Sequence, residues 1–454
     1  MKKIYTRIVA LMMVLAPAGA IAQNLESGYF TDGYLYRHEM NPAIGDSLNY
    51  VAMPLIGNVN MGLTGNLNLT DVLFYRNGRT VLYTNPLVSA DEVMKGITDR
   101  NRIGTDFKIQ ILGAGFKAWG GYNTIGISIR GNESTIVPRE LFDITKNGLR
   151  NDTYDISGLN AHAHAYAEIA LGHSHKINDK WRVGGKFKFL LGGGNVDANV
   201  TRGEVKLLED HYEATVDAEI QGSIKGLEYK TKESEHNPGR TIVNGMKVSG
   251  YKISGLGVAF DFGAEYTIND DWRLSASILD LGFISWKNTR LAATHGTVNT
   301  DNYRFNVDDD APNSFSKEGE RLGDQLATLY ELEDKGEVGG RTTMLGATMN
   351  IGVQYTAPFY RKLNFGLLNT TRIDGCYSWT NFRLSANVAP AKCFSAGINF
   401  AYGTFGPSFG WIMSVHPRGF NLFLGMDHTS FKLAKQGVPL SSKTEFTMGI
   451  NFPF

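Results

Sequence analysis

The chain is patterned with a period of two. Between Leu256 and Tyr266, Leu256, Val258, Phe260, Phe262, Ala264 and Tyr266 share one face, while Gly257, Ala259, Asp261, Gly263 and Glu265 share the other. Strict alternation places apolar side chains on one side of a β-strand. Comparable segments recur at 106–118, 121–130, 161–176, 181–192, 256–267, 272–284, 345–356, 362–373, 379–388, 392–404, 407–415, 419–428 and 443–454. A less regular strand near 51–65 brings the total to 14. Their connections fall into two classes that take turns. Short ones are Trp119-Gly120, Ile177 to Lys180, Asn269-Asp270-Asp271, the stretch around Pro358, Ala389-Pro390-Ala391 and His416-Pro417-Arg418; long ones cover roughly 66–105, 131–160, 193–255, 285–344 and 429–442. A soluble sandwich would also alternate, but it gives no reason for loop length to follow parity. Short periplasmic turns opposite long extracellular loops are the plan of an outer-membrane barrel. The pattern therefore predicts an all-β fold: a transmembrane antiparallel β-barrel of about 14 strands, with Phe260, Phe262, Ile351, Phe400 and Leu424 facing lipid.

Two hairpins repeat as sequence, His175 to Val183 and Tyr266 to Leu274, each placing a tryptophan (Trp181, Trp272) just after an Asn-Asp turn. That is where an interfacial aromatic girdle belongs. The last strand carries Phe446, Met448, Ile450, Phe452 and the terminal Phe454 on one face, and is similar to the C-terminal signal read by the outer-membrane insertion machinery. Helix is confined to loops: Ser89-Ala90-Asp91-Glu92 reads as a capping box, and Pro138 to Gly148 opens on proline and closes on glycine.

The first residues place the chain in the envelope. Lys2, Lys3 and Arg7 precede an apolar run from Ile8 to Leu15 and the small-residue site Ala20-Ile21-Ala22, so residues 1–22 read as a signal peptide. Pro17 and Gly19 break that run well short of the roughly 20 residues a helical span needs. Without those three cations the chain holds 42 Lys+Arg (45 minus 3) against 45 Asp+Glu, a balance that offers nothing to nucleic acid. Later segments are too short to span as helices. Two cysteines in 454 residues make no disulfide scaffold, and Cys376 and Cys393 sit at opposite ends of strand 379–388, too far apart to bridge.

Candidate chemistry is sparse. Gly406-Pro407-Ser408-Phe409-Gly410 matches a nucleophile elbow, but that motif needs a strand, a sharp turn and a helix, and here it joins two strands. His162 and His164 share a strand face with Tyr166 and Glu168; two histidines so placed could hold one metal, and polar lumen lining accounts for them equally well. Asn306 with Asp308-Asp309-Asp310 could offer oxygens to calcium, without the glycine and closing glutamate of an EF-hand. No catalytic residues, cofactor or metal are assigned, and the chain does not read as an enzyme. Alternation puts Glu168, Arg182, Lys186, Lys188, Asp261, Glu265 and Arg273 on lumen positions of consecutive strands, where opposite charges pair into a belt.

The stretch from Arg37 through Asn41-Pro42-Ala43, followed by a first strand carrying Pro54 and Gly57, resembles the start of FadL-like barrels, of their Bacteroidetes relatives in the PorV and PorP/SprF groups, and of a family of uncharacterised Bacteroidetes outer-membrane barrels. The resemblance implies residues 23–50 as a luminal plug and 51–454 as the barrel. It also implies passage of small hydrophobic molecules; the alternative is a non-transporting adaptor that holds surface proteins. Outer-membrane lipid, the insertion machinery, and hydrophobic small molecules or surface proteins are then the partners. A continuous apolar cavity behind the plug would favour passage. A lumen sealed by salt bridges beneath large ordered loops would favour the adaptor.

Overall fold

The computed structural model describes residues 25–45, 48–148, 153–207, 211–250, 252–300, 314–429 and 444–454. The signal-peptide segment and the Asp308-Asp309-Asp310 triplet lie outside them. Fourteen wall positions form a closed antiparallel circuit. They are β1 (Tyr50–Ala52 and Val59–Gly65), β2 (Arg100–Ala118), β3 (Gly121–Pro138), β4 (Asn160–Lys176), β5 (Trp181–Leu207), β6 (Tyr212–Ser223 and Gly255–Thr267), β7 (Trp272–Asn299), β8 (Glu333–Met344 and Ala347–Thr356), β9 (Leu363–Ile373), β10 (Trp379–Ala391), β11 (Phe394–Gly403), β12 (Gly406–Val415), β13 (Asn421–Met426) and β14 (Thr444–Pro453). β14 pairs back onto β1, closing the circuit. Phe260, Phe262, Ile351, Phe400 and Leu424 are exposed on the outer surface, whereas Asp261, between two of them, is fully buried.

The two repeated hairpins close identically. Asn178 accepts hydrogen bonds from the backbone of Lys180 and Trp181, and Asn269 does the same for Asp271 and Trp272. Each tryptophan then packs on a neighbouring tyrosine, Trp181 on Tyr266 and Trp272 on Tyr355, both at 4.7 Å. The turn after β10 differs from the sequence reading: β10 runs through Pro390 to Ala391, and Lys392-Cys393 make the bend. A proline is tolerated there because the ladder has already slipped.

Four stretches expected to be loops are partly strand. β2 begins at Arg100, β3 runs to Pro138, β5 to Leu207 and β7 to Asn299. At 27 and 28 residues, β5 and β7 far outreach β9, β11 and β12, which have 10 or 11. One side of the barrel thus rises above the other as a half-cylinder, at the end where the sequence reading expects the extracellular loops. Alternation fades there because both faces meet protein or water instead of lipid. A hairpin, Leu227–Glu233 with Thr241–Val248, packs its Leu227 and Tyr229 on Ala292 of β7. Residues 66–99 and a helix, Arg139–Asn147, build a second apolar core around Tyr83, Val93, Leu141 and Phe142. Of the expected capping box only the N-cap half forms: Ser89 accepts from the backbone of Glu92, while the Glu92 carboxylate turns to Arg76. The upper part of β8 pairs with strand β7 alone, and its edge is broken by Gly336 and Gly339 at positive φ and carries Lys335, Glu337 and Arg341, features that oppose further strand addition.

β1 is interrupted. Six residues, Met53 to Asn58, stand opposite only two of β14, because Ala52 pairs with Asn451 and Val59 with Met448. Met53, Pro54 and Leu55 swing outward and are exposed, and the ladder on either side holds through Met53 N–H to Ile450 and Gln110 N–H to Asn58.

Candidate functional site in the plugged lumen

Residues 25–45 lie inside the barrel. Leu25, Tyr29, Phe30, Tyr34, Leu35, Tyr36 and Met40 form an apolar core with Tyr50, Leu368, Ile412 and Phe423 of the wall. Such a core alone would slide; polar wall residues fix its register. Asp427 accepts the backbone N–H of both Glu26 and Ser27, at 2.5 and 2.6 Å, while Arg383 donates to Glu26 at 2.8 Å. Asn364 donates to the Phe30 carbonyl, Asn421 to Gly33, Ser277 and Asn350 to Met40, and Ser174 to Ala43. Tyr36 bridges Gln110 and Asn451 from the centre, at 2.6 and 2.7 Å. An apolar strand face turned to lipid and an Asn/Ser face turned to a backbone are thus two halves of one pattern.

The Asn41-Pro42-Ala43 motif seats the chain against β5 and β6. The Asn41 amide donates to the carbonyls of Ala264 and Ala276 and its oxygen accepts from Ala43 N–H, so one side chain both closes the turn and satisfies wall carbonyls. The wall answers with glycine: a Cβ at Gly263 would stand 2.0 Å from the Asn41 oxygen, and one at Gly184 would stand 2.1 Å from the Pro42 carbonyl.

Above this seat the charges gather, in an arrangement different from a simple belt. Lys188 binds Asp261 at 2.7 Å, as opposite signs on β5 and β6 require, but it also binds Asp280 at 2.6 Å. Asp280 takes both guanidinium nitrogens of Arg130 at 3.0 Å, and Arg130 reaches Glu168 at 2.8 Å. Arg182 and Lys186 instead donate to the plug carbonyls of Gly45 and His38, both at 3.3 Å. Glu265 and Arg273 stand 3.8 Å apart at the periplasmic end, with Arg273 half exposed. Arg130 and Asp280 were missed by sequence reasoning. The alternating segment ends at Arg130, whereas the strand continues to Pro138. Asp280 sits in a bulge where two residues of β7 face Asp261 of β6; its φ is 58° and its N–H donates to Asp261.

His162 and His164 meet, nitrogen to nitrogen at 2.7 Å, and the other His162 nitrogen is hydrogen-bonded to Asp197, which Arg341 approaches at 2.6 Å. Among the described residues no cluster of three or more His, Cys, Asp or Glu is disposed to hold a metal. Ser408 lies inside β12 with no helix following, so the elbow geometry is absent. Phe446, Met448, Ile450, Phe452 and Phe454 take the outward positions of the last strand, with Phe454 the most exposed. No helix among the described residues is long and apolar enough to cross a membrane. The wall is a closed antiparallel β-barrel with an apolar outer surface, the form in which strands cross an outer membrane.

Solved structures similar to this chain include a Pseudomonas aeruginosa FadL homologue (10% identity, covering 96% of this chain and 98% of that one, TM-score 0.40). The Ralstonia pickettii toluene transporter TbuX is similar at 8% identity, with 96% and 94% covered and a TM-score of 0.39. The P. putida toluene transporter TodX follows at 7%, 91%, 90% and 0.37. No curated protein matches the sequence. A family model matches residues 42–427, from the plug motif to Asp427, which anchors the plug's first residues, and the chain therefore belongs to the family of unknown function DUF5723.

Proposed function

We propose that this barrel is a closed, non-conducting adaptor that holds protein partners at the cell surface through its extracellular half-cylinder. The observation that carries the reading is the filled lumen: the plug occupies it with an apolar core and hydrogen bonds to wall strands all round the barrel, and the Lys188–Asp261–Asp280–Arg130–Glu168 cluster crosses above. A hydrophobic molecule taking the axial route would have to displace paired buried charges, each costly to leave alone. The hairpin and the second core pack onto the long strands, which gives the docking platform a fixed shape.

The second reading, passage of small hydrophobic molecules, is favoured by one feature, the outward break of β1 at Met53-Pro54-Leu55, where apolar residues face lipid and the ladder is thinnest.

The two readings separate in planar bilayers and in cells. The adaptor reading expects a nearly silent wild type, conductance after deletion of residues 24–47, and a specific surface protein recovered with wild type but lost when the hairpin 227–248 is replaced by a short turn. Steady wild-type conductance, or protein-dependent uptake of a hydrophobic tracer abolished by stiffening the break, overturns it in favour of passage.

A further inference from the structure

Between the plug and the extracellular mouth lies a small chamber that lumen closure does not need. Glu26 and Met40 of the plug form its floor, and Asp106, Asn132, His164 and Arg372 stand in its wall. Close to Asp106 and Arg372, β2 and β4 are bridged through the 375–377 turn. Arg102 of β2 donates to the Tyr377 carbonyl and lies over the Tyr377 and Phe405 rings, both 5.5 Å away, while the Tyr377 hydroxyl donates to Asn160 of β4. Burial pushes the Tyr377 phenol up, so it remains a neutral donor.

Most charges around this space are already matched: Arg130 by Glu168 and Asp280, Lys108 by Glu39, and Glu26 by Arg383. Two are not. Arg372 has only long contacts, to Asp374 and Thr348 at 3.4 Å each. The Asp106 carboxylate takes the Asn132 amide at 2.6 Å and has no cation within ion-pair distance among the described residues. They belong to β9 and β2, which are seven positions apart in either direction around fourteen, so one cation and one anion face each other across the lumen.

We infer that the chamber binds a small zwitterion of the short-peptide kind, its carboxylate on Arg372 and its ammonium on Asp106. A planar guanidinium is suited to two parallel hydrogen bonds with a carboxylate, and a carboxylate with unused lone pairs accepts an ammonium. Water can fill the space but supplies neither charge. An apolar ligand would have to strip both groups of water without replacing it. The inference goes beyond surface attachment and stands whether or not a protein partner is found.

The test is calorimetric titration of the full mature protein in detergent micelles with alanylalanine, N-acetyl-alanylalanine and alanylalanine amide. The zwitterion should give saturable heat and each blocked form should bind at least tenfold more weakly. Arg372→Gln should bind the dipeptide and its amide alike, and Asp106→Asn the dipeptide and its acetylated form alike, in preparations whose heat-modifiable gel migration shows an intact barrel. Absence of saturable heat, or equal binding of all three probes by the wild-type protein, overturns the inference without reference to any variant.

Discussion

Replacing Asp280 by asparagine takes one charge from a buried set that otherwise balances: Arg130, Lys186 and Lys188 against Glu168, Asp261 and Asp280, with Lys186 directly opposite Asp261 in register. Asp280 lies 2.6 Å from Lys188 and 3.0 Å from Arg130. At an effective dielectric of about 20 each attraction amounts to roughly 5.5 to 6.5 kcal/mol before desolvation is charged against it. Removing one partner of a buried pair then costs about 3 to 5 kcal/mol net, because the remaining cation is left uncompensated. Asparagine keeps the shape and also tolerates the 58° φ of this bulge, so backbone strain does not enter. The double variant Asp280→Asn with Lys188→Met restores neutrality and should cost less than the sum of its parts by more than about 1 kcal/mol. The assay is reversible denaturant unfolding in lipid vesicles followed by tryptophan fluorescence. A single-variant loss below about 1 kcal/mol, or strict additivity in the cycle, would show that the charges do not act as one network.

Phe262 is 52% exposed on the outer surface, and Phe262→Arg should lower stability in vesicles by roughly 2 to 4 kcal/mol; an unchanged midpoint would place it away from lipid. Gly184→Val puts a side chain where the Pro42 carbonyl already stands, 2.1 Å from an added Cβ, so the plug should lift and single-channel recordings should show openings absent from the wild type. Recordings as silent as the wild type, from a variant with normal heat-modifiability, would refute that contact. Cys376 precedes β10 at its extracellular end and Cys393 lies in the turn after it; both are free thiols. Non-reducing mass spectrometry should therefore find no peptide joining them, since a strand of this length at about 3.3 Å per residue keeps them well beyond bridging distance.

What the sequence determined by itself was the wall. A side-chain period of two is a local property, so each lipid-facing residue between Leu256 and Tyr266 could be named without knowing its neighbour, and the parity of loop lengths is enough to say that the strands form a barrel. The same local logic found both Asn-Asp turns and placed Lys188 and Asp261 on lumen positions of neighbouring strands. It failed where geometry departs from strict repetition. Carried evenly from Trp272, the period turns Asp280 toward lipid, and only the bulge opposite Asp261 brings it inward to meet Arg130 and Lys188. The continuation of β5 and β7 beyond the bilayer was equally illegible, because a strand with protein or water on both faces loses the contrast that marks one with lipid on a single face. The plug's seat, the Arg102–Tyr377 bridge and the opposed Asp106 and Arg372 join residues tens to hundreds of positions apart, and no local pattern records which strands a closed circuit will set opposite one another. Tertiary structure alone decides that, because closing the sheet fixes the distances across the lumen.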